Sequence, residues 1–194
     1  MEDRLKLPLS FSPAALRQDL DRLRSDAWIE HFVKQNYDGD WSAIALRMPV
    51  SAVGKHPIAS ICAHGGDQEW VDAPLLENSP AFREVLAAFH CPLESVRLMR
   101  LAPGSDIKQH RDPDLAFEDG SVRLHVPVQT NPRVEFYLND QQVVMAAGEC
   151  WYLRLSDPHR VSNHGDCDRV HIVIDARVNS WLEELFRESG AFEG

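Results

Sequence analysis

The chain has 194 residues and a mass of 22.0 kDa, which suits one domain with a sizeable core. Hydrophobic residues at 44% and charged residues at 26% are the balance of an ordinary globular protein, not of a disordered or fibrous one. A formal net charge of −10 argues against general binding to phosphate backbones or anionic membranes, so neither nucleic acid nor a lipid surface is expected as a partner.

The N-terminal Met1-Glu2-Asp3-Arg4-Leu5-Lys6 lacks the apolar core of a signal peptide, and no apolar run approaches the roughly 18 residues of a membrane span. Cys62, Cys91, Cys150 and Cys167 form no CxxC pair; reduced thiols in a cytoplasmic protein are the simplest account. Leu5 to Phe11 alternates loosely and reads as an edge strand. Ser12-Pro13 supplies an N-cap and a first-turn proline, and Leu16, Leu20 and Leu23 then mark one stripe of a helix ending near Ser25. Trp28 to Tyr37 is ambiguous, whereas Trp41 to Arg47 reads as a strand. From Pro49 to Pro74 there is no sustained period, so a long loop is expected, either a substrate lid or inert surface. A second helix starts at Ser79-Pro80, buries Phe82, Val85, Leu86 and Phe89, and stops at Pro92.

Beyond Pro92 the period changes to two. Strand-like runs are expected at Val96 to Leu101, Val122 to Val128, Val134 to Leu138, Val143 to Ala146, Cys150 to Leu155 and Val170 to Ile174. Short strands separated by Pro103-Gly104, Asn131-Pro132, Asn139-Asp140 and Ala147-Gly148 predict a β-sandwich or a barrel-like jelly roll. A last helix starts at Asn179-Ser180, with a capping box between Ser180 and Glu183. With no repeats or linkers, 1–194 is expected to be one domain. It divides into helical and strand support with substrate loops over 1–95, a metal-binding core over 96–178, and a C-terminal helix over 179–194.

The chemistry-bearing residues lie between Lys108 and Asp175. His110 and Asp112 point to one face if the chain is extended there, and His159 follows 49 residues after His110, room for several strands to return it alongside. Two imidazoles and one carboxylate match the facial triad of non-haem Fe(II) oxygenases, which leaves metal positions open. An H-x-D tripeptide is common by chance, and each histidine taken alone reads better as a surface or hydrogen-bonded imidazole. Arg169 opens an apolar strand ten residues after His159, where a buried guanidinium requires an anionic partner; Arg123 and His125 share one strand face. Arg47, Arg97, Arg100 and Arg160 are further carboxylate partners or, more simply, surface charges. His64, in Ala63-His64-Gly65-Gly66-Asp67, is either a loop residue lining a substrate or an inert one, and His164 and His171 are not expected to be ligands.

Taken in order, His110-Arg111-Asp112, Val122-Arg123-Leu124-His125-Val126-Pro127-Val128, Gly148-Glu149-Cys150-Trp151-Tyr152-Leu153, Pro158-His159-Arg160-Val161-Ser162-Asn163 and Arg169-Val170-His171-Ile172-Val173-Ile174-Asp175 resemble the aspartyl/asparaginyl β-hydroxylase family of Fe(II)/2-oxoglutarate oxygenases, whose bacterial members include hydroxylases of free proline. The resemblance spans about Val96 to Asn179. It implies a mainly β, cupin-like double-stranded β-helix with flanking helices. It also implies that His110, Asp112 and His159 hold iron, that Arg169 anchors 2-oxoglutarate, and that Arg123 and His125 contact that co-substrate. The implied enzyme uses O2 and 2-oxoglutarate to hydroxylate a C–H bond of an amino acid or of an aminoacyl or peptidyl substrate, releasing succinate and CO2. A cupin-like metal- or ligand-binding module without turnover is the alternative, and a cupin isomerase a third; neither requires a buried Arg169. The oligomeric state is not legible.

Overall fold

The computed structural model describes residues 2–62 and 68–190. In chain order the elements are β1 (Arg4–Ser10), α1 (Pro13–Asp21), β2 (Ile29–Glu30), β3 (Tyr37–Asp38), β4 (Trp41–Pro49), α2 (Ile58–Ile61), β5 (Trp70–Asp72), α3 (Pro80–Ala87), β6 (Leu93–Leu101) and β7 (Ser105–His110). They continue as β8 (Ser121–Gln129), β9 (Val134–Leu138), β10 (Gln141–Gln142), β11 (Glu149–Leu153), β12 (His159–Asn163), β13 (Arg169–Arg177) and α4 (Ser180–Glu188). Two antiparallel sheets result. The larger runs β1-β11-β8-β13-β6-β4-β2, with β5 added beside β4, and the smaller runs β10-β9-β12-β7-β3. This is the expected jelly roll.

The larger sheet is amphipathic at a period of two, and that alternation decides what faces the site. Val96 and Leu98 of β6, Val122, Leu124 and Val126 of β8, and Val170, Ile172 and Ile174 of β13 point outward into one apolar cluster. Leu16 of α1, Phe82 and Val85 of α3, and Leu182 and Phe186 of α4 cover them. Each fully buried side chain of this size contributes about 1.5–3 kcal/mol. The intervening residues, Arg97, Arg123, His125, Arg169, His171 and Asp175, therefore face the smaller sheet, and all but the partly buried Arg123 are themselves buried. A second cluster, including Trp41, Met99, Phe136, Leu153, Val161 and Val173, fills the space between the sheets around them.

Several local expectations are corrected. Helix α1 ends at Asp21, not near Ser25. From within it the Asp19 carboxylate caps another helix, accepting the Ala81 and Phe82 amides at 2.7 and 3.1 Å. Helix α3 does start at Pro80 with Ser79 at its N-cap position, where the Ser79 hydroxyl donates to the Leu75 carbonyl at 2.9 Å. That helix also stops at Ala87, before Pro92 can act. A single N-cap replaces the capping box of α4: Asn179 is the N-cap, its side chain accepts the Leu182 amide at 3.0 Å, and the Leu182 side chain has no acceptor to return the bond. Val143 to Ala146 is not a strand: Val143 and Met145 are buried as anchors, and the pairing falls on Gln141 and Gln142 instead. Within the stretch read as a loop, β5 pairs with β4 and α2 packs beside it. Conversely, β7 and β12 were not anticipated as strands, because Ser-Asp-Ile-Lys-Gln-His and His-Arg-Val-Ser-Asn carry too little apolar alternation.

Candidate metal and co-substrate site

Strands β7 and β12 pair so that His110 and His159 are direct cross-strand partners. Their rings lie 4.2 Å apart between centroids. Asp112, two residues past the end of β7, is fixed by its amide, which donates to the Leu155 carbonyl at 2.8 Å. Its carboxylate then sits 3.6 Å from His110 Nε2 and 3.9 Å from His159 Nε2. Ligand atoms of His110, Asp112 and His159 all fall within 4.8 Å of one another.

Backbone carbonyls determine the tautomers. His110 Nδ1 lies 2.7 Å from the Lys108 carbonyl and His159 Nδ1 lies 3.0 Å from the Asp157 carbonyl. A carbonyl only accepts, so each Nδ1 carries the proton and each Nε2 turns a lone pair toward Asp112. Burial, then the neighbouring His110, push His159 down to about 4, which keeps its ring neutral and able to coordinate.

Across the cavity the larger sheet supplies the cations, and they differ in what they hold. Arg123 Nη1 donates to Asp112 at 2.5 Å, while its Nε and Nη2 donate to the two Asp175 oxygens at 2.5 and 2.9 Å. Arg97 Nη2 completes the cluster at 2.8 Å from Asp175. Arg97 is thus a buried ion-pair member with 4% exposure, which corrects its reading as a surface charge. Arg47, Arg100 and Arg160 lie at the surface as expected, on Asp72, Asp40 and Asp140 respectively.

Arg169 is different. It is 3% exposed, yet among the described residues no carboxylate pairs with it. Its Nη2 lies 3.0 Å from His171 Nδ1, its guanidinium stands 5.9 Å from the Phe136 ring, and its Nε has no hydrogen-bond partner. Burial alone draws its pKa down to about 9. His125 Nε2 is likewise buried without a partner, and His125 Nδ1 approaches His171 Nδ1 at 3.4 Å. His125 and His171 are both held well below their ordinary range, first by burial and next by the Arg169 charge.

These groups line one cavity of about 520 Å³, to which His110, Asp112, His159, Arg123, His125 and Arg169 all contribute. The N-terminal elements close its other side with His31, Phe32, Trp41 and Trp70. His31 had no sequence signal. Its ring is clamped between Trp41 at 3.6 Å and Phe32 at 4.7 Å, and burial holds it neutral down to about 4. Asp175 and His171 could have been found, because they share the period-two face of Arg169 on β13. His164 is exposed, away from the cavity, as expected. His64 lies outside the described residues.

Residues 12–178 match the family model for aspartyl/asparaginyl beta-hydroxylase. The chain belongs to this family. L-proline cis-4-hydroxylase of Rhizobium meliloti (strain 1021) is 25% identical over 184 residues, covering 92% of this chain but 62% of that protein. The chain therefore spans less than two thirds of that relative's length. A prolyl-4-hydroxylase of Pseudomonas putida superposes with a TM-score of 0.53 at 12% identity, over 93% of this chain and 95% of that one. A 2OG-Fe(II) oxygenase-family oxidoreductase of Burkholderia pseudomallei superposes with a TM-score of 0.53 at 14% identity, over 86% and 79%. At such identities the likeness shows a shared fold. Within this β-hydroxylase family member the donor set fits iron, with two imidazoles and one carboxylate converging. The unpaired Arg169 fits a dicarboxylic co-substrate.

Proposed function

We propose that this protein is an Fe(II)- and 2-oxoglutarate-dependent dioxygenase, acting as one catalytic unit over its 194 residues, that hydroxylates a C–H bond of an amino acid or of an aminoacyl or peptidyl substrate. One observation carries the reading: a buried guanidinium without an acid, Arg169, lines the same cavity as the His110–Asp112–His159 cluster. An uncompensated buried charge is costly, so a fold that keeps one reserves it for a ligand that brings the opposite charge.

In this reading His110, Asp112 and His159 hold the metal, while Arg169 takes the distal carboxylate of 2-oxoglutarate through its planar fork. His125, with its unpartnered Nε2, sits beside that carboxylate and orients it. Bound together with O2, the iron and co-substrate supply the oxidising chemistry, with 2-oxoglutarate leaving as succinate and CO2. The chain's own part is positioning and exclusion of water. The Lys108 and Asp157 carbonyls accept from the Nδ1 atoms of His110 and His159, which orients both rings with Nε2 toward the proposed metal. Phe136, stacked near-parallel on the His159 ring at 6.3 Å, and Val173 keep the inner wall apolar. His31, Trp41 and Trp70 line the side left for the substrate, and a volume of about 520 Å³ suits a co-substrate with one small residue beside it. The L-proline cis-4-hydroxylase relative favours a small amino acid as that residue.

Anaerobic titration of the protein with Fe(II) and then 2-oxoglutarate tests this. A weak visible charge-transfer band is expected for wild type, abolished in His110→Ala and weakened at least tenfold in co-substrate affinity in Arg169→Ala. A metal-loaded wild type that binds 2-oxoglutarate without the band, or not at all, sinks the reading and leaves a ligand-binding cupin-like module. Succinate release across a panel of free and peptidyl amino acids then identifies the substrate.

A further inference from the structure

The three cavity arginines are not equivalent, and Arg123 lines the cavity with its guanidinium already engaged by two acids of the chain. All three of its nitrogens already face carboxylate oxygens: Nε and Nη2 meet Asp175, and Nη1 meets Asp112 at 2.5 Å. Asp175 is itself fixed from the far side by Arg97 and is 4% exposed, so the Arg123 side chain is anchored at its base by a buried acid. The strand register supports this, since Arg123 and Asp175 are direct partners between β8 and β13. The chain Arg97–Asp175–Arg123–Asp112 therefore alternates in sign from the interior to the metal-binding cluster. It ends on one oxygen of Asp112, Oδ2, which also lies 3.9 Å from His159 Nε2, and leaves Oδ1, 3.6 Å from His110 Nε2, without an arginine.

We infer that Arg123 is a positioning residue for Asp112, not a co-substrate anchor as the family resemblance implies. Held by Asp175, it occupies Oδ2 and presents Oδ1 to the metal, so that the carboxylate serves as a ligand through a single oxygen and leaves the remaining positions open. Co-substrate recognition then rests on Arg169, which has no acid among the described residues. This role rests on the reading of His110, Asp112 and His159 as the metal site. Partners that orient ligating carboxylates typically change metal affinity by about 10–100-fold when removed.

The test uses Co(II) alone as a spectroscopic stand-in, titrated into the full chain and followed by its visible d–d absorption, with 2-oxoglutarate added afterwards. Arg123→Lys keeps a cation but cannot reach both acids with one planar fork. It is expected to weaken Co(II) binding about 10–100-fold and to shift the d–d band, while the affinity of the Co(II)-loaded protein for 2-oxoglutarate changes less than threefold. Asp175→Asn should do the same by freeing Arg123, and near-UV circular dichroism shows whether it remains folded; if it does not, Arg123→Lys and Arg123→Gln decide. Arg169→Lys should give the opposite pattern, with Co(II) affinity kept and 2-oxoglutarate affinity lost. Unchanged Co(II) affinity and spectrum in Arg123→Lys, together with a tenfold loss of 2-oxoglutarate affinity, would overturn the inference and return Arg123 to the co-substrate. A wild type that takes up no Co(II) overturns the metal reading and this role with it.

Discussion

A buried guanidinium is costly wherever it sits, and the two ways this protein treats that cost separate its residues by role. Arg97 and Arg123 share Asp175, and Arg123 also holds Asp112, so both charges are offset within the chain. Arg169 has only an imidazole and an aromatic face. Its burial is a stability cost, which under the proposed function the co-substrate carboxylate relieves. Arg169→Met keeps the length of the stem and removes the charge, so the chelator-treated protein is expected to gain about 1–3 kcal/mol of stability. At the same time it should lose 2-oxoglutarate binding. Chemical denaturation with chelator present checks the first effect; a fall in stability would mean that Arg169 is compensated in the free protein after all. The same residue was readable as special in the sequence, because a cation opening the apolar run Val170 to Ile174 has no local explanation. Arg97 was not, since alternation alone gives two faces of β6 and does not say that both are buried.

Among the elements, what the sequence concealed is as informative as what it displayed. The apolar strands β8, β9 and β13 announce themselves by pattern, but His110 and His159, two of the three proposed ligands, sit on β7 and β12, whose residues are mostly polar. Such strands form because their neighbours pair with them: β12 lies between β9 and β7, so its hydrogen-bonding groups are satisfied without an apolar pattern of its own. Helix packing has a similar hidden tie. Asp19 of α1 is 1% exposed and accepts two amides at the start of α3, acting as a cap from another helix. Asp19→Ala removes a charge-assisted cap and leaves two buried donors unmet, which is expected to cost about 2 kcal/mol. The urea midpoint measures it, and Co(II) affinity should stay unchanged because neither helix supplies a ligand. A loss below about 0.5 kcal/mol would show that water replaces the carboxylate.

For the whole molecule, the cavity gathers imidazoles that the fold holds neutral. His31 and His159 are each pushed down to about 4, chiefly by burial, and His125 and His171 shift in the same direction. The unfolded chain takes up protons on these rings near 6.5, whereas the folded chain refuses them until the pH is much lower. Stability is therefore complete above pH 6.5 and falls as pH drops from 6.5 toward 4, by up to about 3 kcal/mol for His31 alone. Asp175, held below its ordinary range against its own burial by Arg123 and Arg97, adds a loss in the same direction at still lower pH. Urea midpoints from pH 7.5 to 4.5, with chelator present, should fall steadily; a flat profile would mean that the rings already carry protons in the fold. No helix among the described residues is long and apolar enough to cross a membrane.

The sequence by itself determined the alternating strands, the turns between them, the apolar face that the helices cover, and the ordered set His110, Asp112, His159 and Arg169. Each of these depends on local period or on residue type, and both survive in one dimension. Only the tertiary structure decided the rest. Which face of β13 turns inward, and hence that Asp175 joins Arg97 to Arg123, is set by cross-strand register. That His31 reaches the cavity at all depends on a two-residue strand laid on β4 and a ring wedged against Trp41. The cross-strand pairing of His110 with His159 gathers residues that are each unremarkable alone into a group that could hold a metal ion. It depends on distance in space, which spacing along the chain does not encode.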